Sequence, residues 1–325
     1  MARRGVHVER PIPGDPDDPG GWPQLVAEFC DWMGSHGYSP RTIGNRRGQL
    51  TQLIIWLAER GVTRPVEVTR PMLERYQRWL FHYRQPRTGD PLSFRSQSQR
   101  LLPVRAFFKW AARNNIVLYN PASEIELPKV EHRLPRPALT FSEAEHVLAM
   151  PDVTTPVGLR DRTMLEVLYS TGIRRSELAG LVLFDLDVER STLLVRQGKG
   201  RKDRMVPIGS RALVWVERYL TEVRPVFVAE PDDGTMFLTV DGTPIALDRL
   251  TQLAGDYVKA SGVPKGGACH LFRHTMATLM LEGGADIRYI QAMLGHAELS
   301  TTQIYAQVSI RALQAVHEAT HPGAT

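Results

Sequence analysis

The chain has 325 residues and a mass of 36.6 kDa, which at roughly 100–200 residues per domain predicts two domains. A hydrophobic content of 42% and a charged content of 23% are ordinary for globular proteins and exclude a wholly disordered chain. No apolar run is long enough to span a bilayer, and the N-terminus has no signal-peptide pattern. Cys30 and Cys269 are the only cysteines, which excludes a disulfide scaffold and favours a reducing cytoplasm.

The charge is distributed unevenly along the chain. Residues 1–138 carry 21 basic and 13 acidic residues, a net charge of +8, whereas residues 139–325 carry a net charge of −3. Residues 35–120 alone hold 15 basic and 4 acidic residues, a net charge of +11. Because 34 of the 40 basic residues are arginine, whose planar guanidinium suits phosphate, the N-terminal half predicts a polyanion-binding surface.

The N-terminal part of the chain is expected to hold a flexible leader, residues 1–21, and then a small all-α domain, residues 22–120. The first helix is predicted from apolar residues at helical spacing, Trp22, Val26, Phe29 and Met33. It is expected to stop before Gly37, since glycine commonly follows a helix C-terminus.

Three further helices are predicted in this domain. The second opens with Ser39 as N-cap and Pro40 at its first position. The third and fourth are predicted at about residues 69–83 and 93–113, with Pro103 expected to kink or split the last one.

Arginines on the loops and helix faces of this domain are the candidate DNA-binding residues. They are Arg41, Arg46, Arg47, Arg84, Arg87, Arg95 and Arg100. For any single one, the alternative is a solvated helix surface. Their concentration in one segment favours contact with the DNA backbone.

Residues 121–138 are predicted to be a linker, since they contain four prolines and no apolar period. The second domain, residues 139–325, is expected to open with a helix capped by Ser142, with Glu145 completing the capping box. Two strands are predicted at residues 191–195 and 204–208, joined by a glycine-rich turn.

Four segments of this second domain are rich in polar residues that core packing does not explain. They are residues 170–178, residues 198–204, residues 270–274, and residues 294–296 with Tyr305 following. His270 and Arg273 stand one helical turn apart, a spacing that suits two donors to one phosphate. Each segment alone has a plain alternative, such as an ordinary Gly-Lys-Gly turn or a core tyrosine. A zinc set of His270, His274 and His296 is disfavoured, because the His-Glu-x-x-His glutamate is missing.

In this order the segments resemble the tyrosine recombinases of the phage-integrase type, and the Xer-like members most. The matching text is Thr171-Gly172-Ile173-Arg174-Arg175-Ser176-Glu177-Leu178, Gly198-Lys199-Gly200, Arg204-Met205-Val206-Pro207, His270-Leu271-Phe272-Arg273-His274, and Leu294-Gly295-His296 running to Tyr305. The resemblance covers residues 139–310 in detail and the basic half more loosely.

The resemblance implies a mainly α fold with a small β-sheet. An N-terminal all-α core-binding bundle of the SAM-like type is expected at residues 22–120. A C-terminal α+β catalytic domain is expected at residues 139–325, with a tail from about residue 309. Together they would form a C-shaped clamp on DNA.

The resemblance also implies the roles of the phosphate-binding residues. Tyr305 attacks the scissile phosphate and forms a 3′-phosphotyrosyl link, while Arg174 and Arg273 hold the non-bridging oxygens. Glu177 is expected to orient the arginine pair. His296 adds a hydrogen bond.

Proton transfers and further DNA contacts follow from the same resemblance. His270 is expected to accept the proton of the tyrosine, and Lys199 to protonate the leaving 5′-oxygen. Arg201 and Lys202 on the same turn as Lys199 are expected to contact DNA. No metal and no cofactor is implied.

The implied partners are double-stranded recombination sites. A homotetramer is expected to bind two such sites, and its subunits are expected to be monomeric when free. A related recombinase is a further possible partner in this assembly. A bacterial, nucleoid-associated cytoplasmic location is expected, with no membrane partner. A type IB topoisomerase-like enzyme and a non-catalytic DNA-binding protein are the alternatives. The sequence leaves open whether the role is chromosome or plasmid resolution, or integration or transposition by a mobile element. It also leaves open whether the tail docks on its own domain or on a neighbour.

Overall fold

The computed structural model describes residues 11–86, 88–129, 138–196 and 203–295. The chain divides into two compact units near residue 132. The predicted boundaries at residues 22, 121 and 139 stay predictions. Within the described ranges, no helix is both long and apolar enough to cross a membrane.

The first unit contains the four predicted helices, α1 (Trp22–Ser35), α2 (Pro40–Ala58), α3 (Arg70–His82) and α4 (Phe94–Arg113). Helix α2 packs against α1 and α4, and α3 packs against α4. The Ser39 hydroxyl accepts a hydrogen bond from the Thr42 backbone N–H at 3.2 Å, which confirms the predicted cap. Helix α4 continues through Pro103 rather than splitting, and Pro103 is buried.

The core of this unit is largely aromatic. The predicted apolar positions of α1 are all buried, and Phe29 packs edge-on against Phe107 of α4 with ring centroids 5.6 Å apart. Trp22 lies against the same ring at 5.7 Å. These rings hold α1 on α4.

Both flanks of the bundle also lie on this core. Ile12 of the expected leader packs against it, and Asp18 pairs with Arg64 at 2.9 Å. At the other end, Ala122 and Ile125 of the expected linker are buried in the core. Part of the expected linker is therefore buried, although its sequence shows no helical apolar period.

The second unit is built around one buried helix, α6 (Pro156–Thr171). Helices α5, α7, α8 and α11 pack against α6, which is buried on most of its surface. Helix α10 packs against α7 and α11, and α12 packs against α11 and strand β3 (Arg204–Pro207). The bounds are α5 (Phe141–Leu148), α7 (Arg175–Ala179), α8 (Ser210–Arg218), α9 (Arg224–Phe227), α10 (Leu247–Ala260), α11 (Cys269–Glu282) and α12 (Ile287–Leu294), with a π-helical turn at Tyr219–Val223.

A three-stranded antiparallel sheet lies between α7 and α8 in the chain. Its strands are β1 (Leu186–Asp187), β2 (Thr192–Val195) and β3 (Arg204–Pro207), in the order β1-β2-β3. The two predicted strands are confirmed, and the two-residue β1 was missed because it is too short to show alternation. Leu193 pairs with Val206, and both are buried. Val195 pairs with Arg204, which sets Arg204 at the start of the second hairpin arm.

The predicted cap of α5 was wrong by two residues. Thr140 is the N-cap, and it forms the reciprocal capping box with Glu143. The preceding backbone fixes this register, because the Leu139 N–H donates to Thr275 Oγ1 of α11 at 3.1 Å. Ser142 therefore lies inside the helix.

Candidate active site

A tight turn after α6 positions Arg174. Gly172 adopts a left-handed φ of 62°, which side chains rarely adopt, so the turn favours glycine. A Cβ there would also lie 2.0 Å from Met276 Cε, at the flexible end of that side chain. Arg174 then occupies the N-cap position of α7, and its backbone N–H donates to Glu177 Oε2 at 2.7 Å. The sequence motif thus folds back on itself within four residues.

Glu177 is the carboxylate around which the arginines gather. It accepts a hydrogen bond from Arg174 Nη1 at 2.7 Å and two from Arg204, at 3.0 and 2.8 Å. Burial raises the pKa of Glu177, but the hydrogen bonds from Arg204 and Arg174 outweigh it and bring the pKa to about 2. The carboxylate is therefore charged at neutral pH. It contacts Arg174 as expected, but the second arginine it contacts is Arg204.

Arg204 has no assigned role in the sequence analysis, although it lies in the motif Arg204-Met205-Val206-Pro207. Besides Glu177, its Nε donates to the Met293 carbonyl at 2.9 Å. A signal for it exists in the sequence. Strand residues two apart share a face, so the apolar Val206 indicates that Arg204 points toward the core side of β3.

Arg273 of α11 is only 5% exposed and ties two segments together. Its Nη1 donates to the Gly172 carbonyl at 2.6 Å, and its Nη2 donates to the Leu294 carbonyl at 2.7 Å. Arg174 reaches the same end of α12, since its Nη2 donates to the Gly295 carbonyl at 3.3 Å. Arg174 and Arg273 thus converge on one helix end.

His270 lies one turn before Arg273 on α11, and it is more accessible to solvent than the buried Arg273 although part of its ring is covered. Partial burial lowers the pKa of His270, and the positive charges of Arg273, Arg175 and Arg174 lower it further. His270 is therefore neutral near pH 7 and able to accept a proton. Arg175 itself turns away from Glu177 and contacts Thr251 of α10.

Several predicted site residues lie outside the described residues. They are Arg87, Lys199, Arg201, Lys202, His296 and Tyr305, together with the tail from residue 309. In the part of the chain that the structure describes, no three histidine, cysteine or acidic side chains are grouped as metal ligands.

The predicted DNA-binding arginines of the first unit lie on α2, on α4 and in the loop between α3 and α4. Arg41, Arg84 and Arg95 are exposed. Arg46 and Arg100 are partly buried, because their guanidinium groups lie over aromatic rings, those of Tyr38 at 4.7 Å and Tyr83 at 5.2 Å respectively. Arg47 is partly buried beside the cavity between the segment from Pro11 to Pro16, α1 and α2.

Known proteins resemble the chain over nearly its whole length. Residues 137–311 match the model of the phage integrase family. Tyrosine recombinase XerC 2 of Ralstonia nicotianae is 53% identical over 287 residues, which cover 88% of this chain and 82% of that protein. Tyrosine recombinase XerD of Xanthomonas axonopodis pv. citri is 38% identical over 288 residues, covering 82% and 94%.

A solved structure shows the same fold. The crystal structure of the XerH site-specific recombinase, bound to a palindromic difH substrate as a post-cleavage complex, matches with a TM-score of 0.70. The match covers 90% of this chain and 83% of that chain at 20% identity. The chain therefore belongs to the phage integrase family as a Xer-like tyrosine recombinase, an enzyme of site-specific recombination that cleaves and rejoins DNA strands.

Proposed function

We propose that the chain cleaves DNA through a 3′-phosphotyrosyl intermediate on Tyr305. The observation that carries this proposal is the convergence of Arg174 and Arg273 on the end of α12, directly before His296 in the chain. Arg273 is held by two neutral carbonyls, and Arg174 by one carbonyl and the Glu177 carboxylate. Two guanidinium groups placed in this way suit the non-bridging oxygens of one phosphate. Glu177 orients Arg174 from behind.

Proton transfer is assigned to His270 and Lys199. The lowered pKa of His270 supports its role as acceptor of the Tyr305 proton, since a neutral imidazole is available near pH 7. Lys199 protonates the leaving 5′-oxygen, and His296 donates a hydrogen bond to the phosphate. The phosphotyrosyl link keeps the energy of the broken bond, so that rejoining needs neither ATP nor a metal ion.

The first experiment uses a duplex selected from a random-sequence library for binding to the full-length chain, here named the selected duplex. Because the cleavage position is unknown, one strand of this duplex is nicked at a different position in each of several substrates. When a nick lies close to the cleavage site, the short fragment with the 5′-hydroxyl diffuses away, rejoining is prevented, and the covalent adduct accumulates. We expect adduct with the natural chain and none with Tyr305→Phe, while affinity for the selected duplex is retained. Tyr289→Phe is the matched control, since Tyr289 is 72% exposed on α12. Adduct formation by Tyr305→Phe would assign the nucleophile to another residue.

The first unit is proposed to bind the DNA backbone. The exposed arginines Arg41, Arg84 and Arg95 support this, with Arg46, Arg47, Arg87 and Arg100 of the same unit, and with Arg201 and Lys202 of the second unit, as further candidates. Each phosphate contact releases counterions, so affinity falls with salt concentration. The solved structure of XerH bound to a palindromic difH substrate, which has the same fold, supports a substrate of double-stranded DNA sites.

A triple variant tests this surface. In Arg41→Gln/Arg84→Gln/Arg95→Gln, the slope of log affinity against log salt should fall by roughly 0.9 for each lost phosphate contact. The control replaces Arg190 and Arg288 with glutamine, two exposed arginines of the second unit. An unchanged slope in the triple variant would mean that these three arginines are solvated surface.

We further propose a homotetramer on two DNA sites, assembled from free monomers or with a related recombinase, and a cytoplasmic, nucleoid-associated location in a bacterium. Docking of the tail on a neighbouring subunit would couple the active sites. Deleting the residues after Ser309 should then spare binding of one site but weaken paired-site complexes in gel-shift assays. Normal pairing and recombination by the truncated chain would place the tail on its own domain.

Resolution of chromosomes or plasmids and movement of a mobile element remain the two candidate roles, whereas topoisomerase-like relaxation is not favoured by the recombinase relatives.

A further inference from the structure

Arg204 differs from the other arginines near Glu177 in how its nitrogens are used. All three donate to protein acceptors: Nη1 and Nη2 to the two oxygens of Glu177, and Nε to the Met293 carbonyl. Burial does not set it apart, since its side chain is 12% exposed and Arg273 is 5% exposed. The difference is the partner: both terminal nitrogens of Arg204 donate to one carboxylate, whereas those of Arg273 donate to carbonyls. A guanidinium that already spans a carboxylate with both terminal nitrogens is poorly placed to bind a phosphate as well.

The contacts of Arg204 join three separate parts of the second unit. Arg204 belongs to β3, Glu177 to α7, and Met293 to the last turn of α12. Along the sequence, β3 follows the turn that contains Lys199, and α12 leads to His296. One side chain therefore fixes the relative positions of β3, α7 and the end of α12.

The backbone at the end of α12 is shaped to admit this side chain. Gly295 has a left-handed φ of 61°, and a Cβ on it would lie 3.0 Å from Arg204 Nε and 3.1 Å from Arg204 Cζ. An alanine there would press on the guanidinium as well as strain the turn. The close approach is thus an independent sign that the end of α12 and Arg204 pack as one arrangement.

We propose that Arg204 is a positioning residue for strand cleavage, which acts through Glu177 and the end of α12 and does not contact DNA. The proposal rests on the catalytic roles proposed above. Removing Arg204 leaves Glu177 with fewer donors and frees the end of α12. Arg174 then loses its fixed orientation, so the chemical step slows while DNA binding is retained.

The test compares Arg204→Gln and Arg204→Lys with the control Arg190→Gln, a mostly exposed arginine between β1 and β2 of the same sheet. Affinity and single-turnover cleavage are measured on the selected duplex. We expect cleavage to slow by roughly 10- to 100-fold in both Arg204 variants, since mispositioned groups cost about that much, with affinity changed less than threefold. Arg204→Lys keeps the charge and the aliphatic stem, so it carries the test if Arg204→Gln does not fold.

A double-mutant cycle shows whether Arg204 acts through Glu177. The rate of Arg204→Gln/Glu177→Gln should equal that of the slower single variant, because both changes disrupt one network. The proposal is overturned if the rate reductions of the two single variants multiply in the double variant. It is also overturned if the Arg204 variants cleave at the natural rate, or if they lose affinity as much as they lose cleavage rate. Failure of the proposed function has a different signature, namely no adduct from the natural chain or full adduct from Tyr305→Phe.

Discussion

The second unit should depend strongly on the charge of Glu177. Its pKa of about 2 lies well below the ordinary value of 4.5. At about 1.4 kcal/mol per pKa unit, the ionised carboxylate stabilises the folded state by about 3 kcal/mol at neutral pH. Glu177→Gln keeps the shape but removes the charge that Arg174 and Arg204 share. We therefore expect the free energy of unfolding to fall by about 3 kcal/mol at pH 7.

The pH dependence identifies the cause of this loss. Because the folded-state pKa of Glu177 is depressed, its contribution is complete above pH 4.5 and is lost as pH falls toward about 2. The difference in the free energy of unfolding between the natural chain and Glu177→Gln should narrow to about 2 kcal/mol at pH 3.5. Hydrogen exchange of α6 amides, corrected for intrinsic rates, measures this difference, and α2 amides are the internal control. The reasoning is refuted if the difference in the free energy of unfolding is the same at both pH values. It is also refuted if the α2 amides of Glu177→Gln lose as much protection from exchange as the α6 amides do.

Two further substitutions test the turn and the histidine. Gly172→Ala should lower the midpoint of thermal unfolding by an amount equivalent to about 1–3 kcal/mol, because φ is positive and the new Cβ meets Met276. Gly284→Ala should lower the midpoint less, because Gly284 also has a positive φ but no atom lies near its added Cβ. Equal losses in the two variants would show that the contact with Met276 contributes nothing. Arg175→Gln removes a positive charge that lowers the pKa of His270, so the acid limb of single-turnover cleavage should move to higher pH. If the acid limb of the pH profile stays at the same pH in Arg175→Gln, then His270 is not the group whose titration sets that limb.

The helices of the first unit were predictable because their signals are local. Ser39 and Pro40 specify the start of α2 through one hydrogen bond and one fixed φ, both independent of the rest of the fold. The apolar spacing of α1 likewise identifies its buried face. By contrast, the burial of Ile125 depends on a surface provided by distant helices, which no local pattern encodes.

The cap of α5 shows where local signals become ambiguous. Thr140 with Glu143 and Ser142 with Glu145 both satisfy the spacing of a capping box. The structure uses the first pair, because Thr275 of α11 holds the backbone just before it. The alternation of β3 indicates which way Arg204 points, but not its partners, which come from α7 and α12, two segments far apart in the sequence.

The end of α12 gives a physical reason for using arginines in this site. Arg174, Arg204 and Arg273 each donate to one of the carbonyls of residues 293–295, which lie where a helix leaves acceptors unpaired and where its dipole favours cations. Neutral carbonyls orient a guanidinium without cancelling its charge, whereas a carboxylate would cancel it. Glu177 is the one anion among these four side chains, so together they keep a net charge of two positive. In the proposed function, this charge faces a phosphate diester under attack by the Tyr305 oxyanion, which carries two negative charges in all.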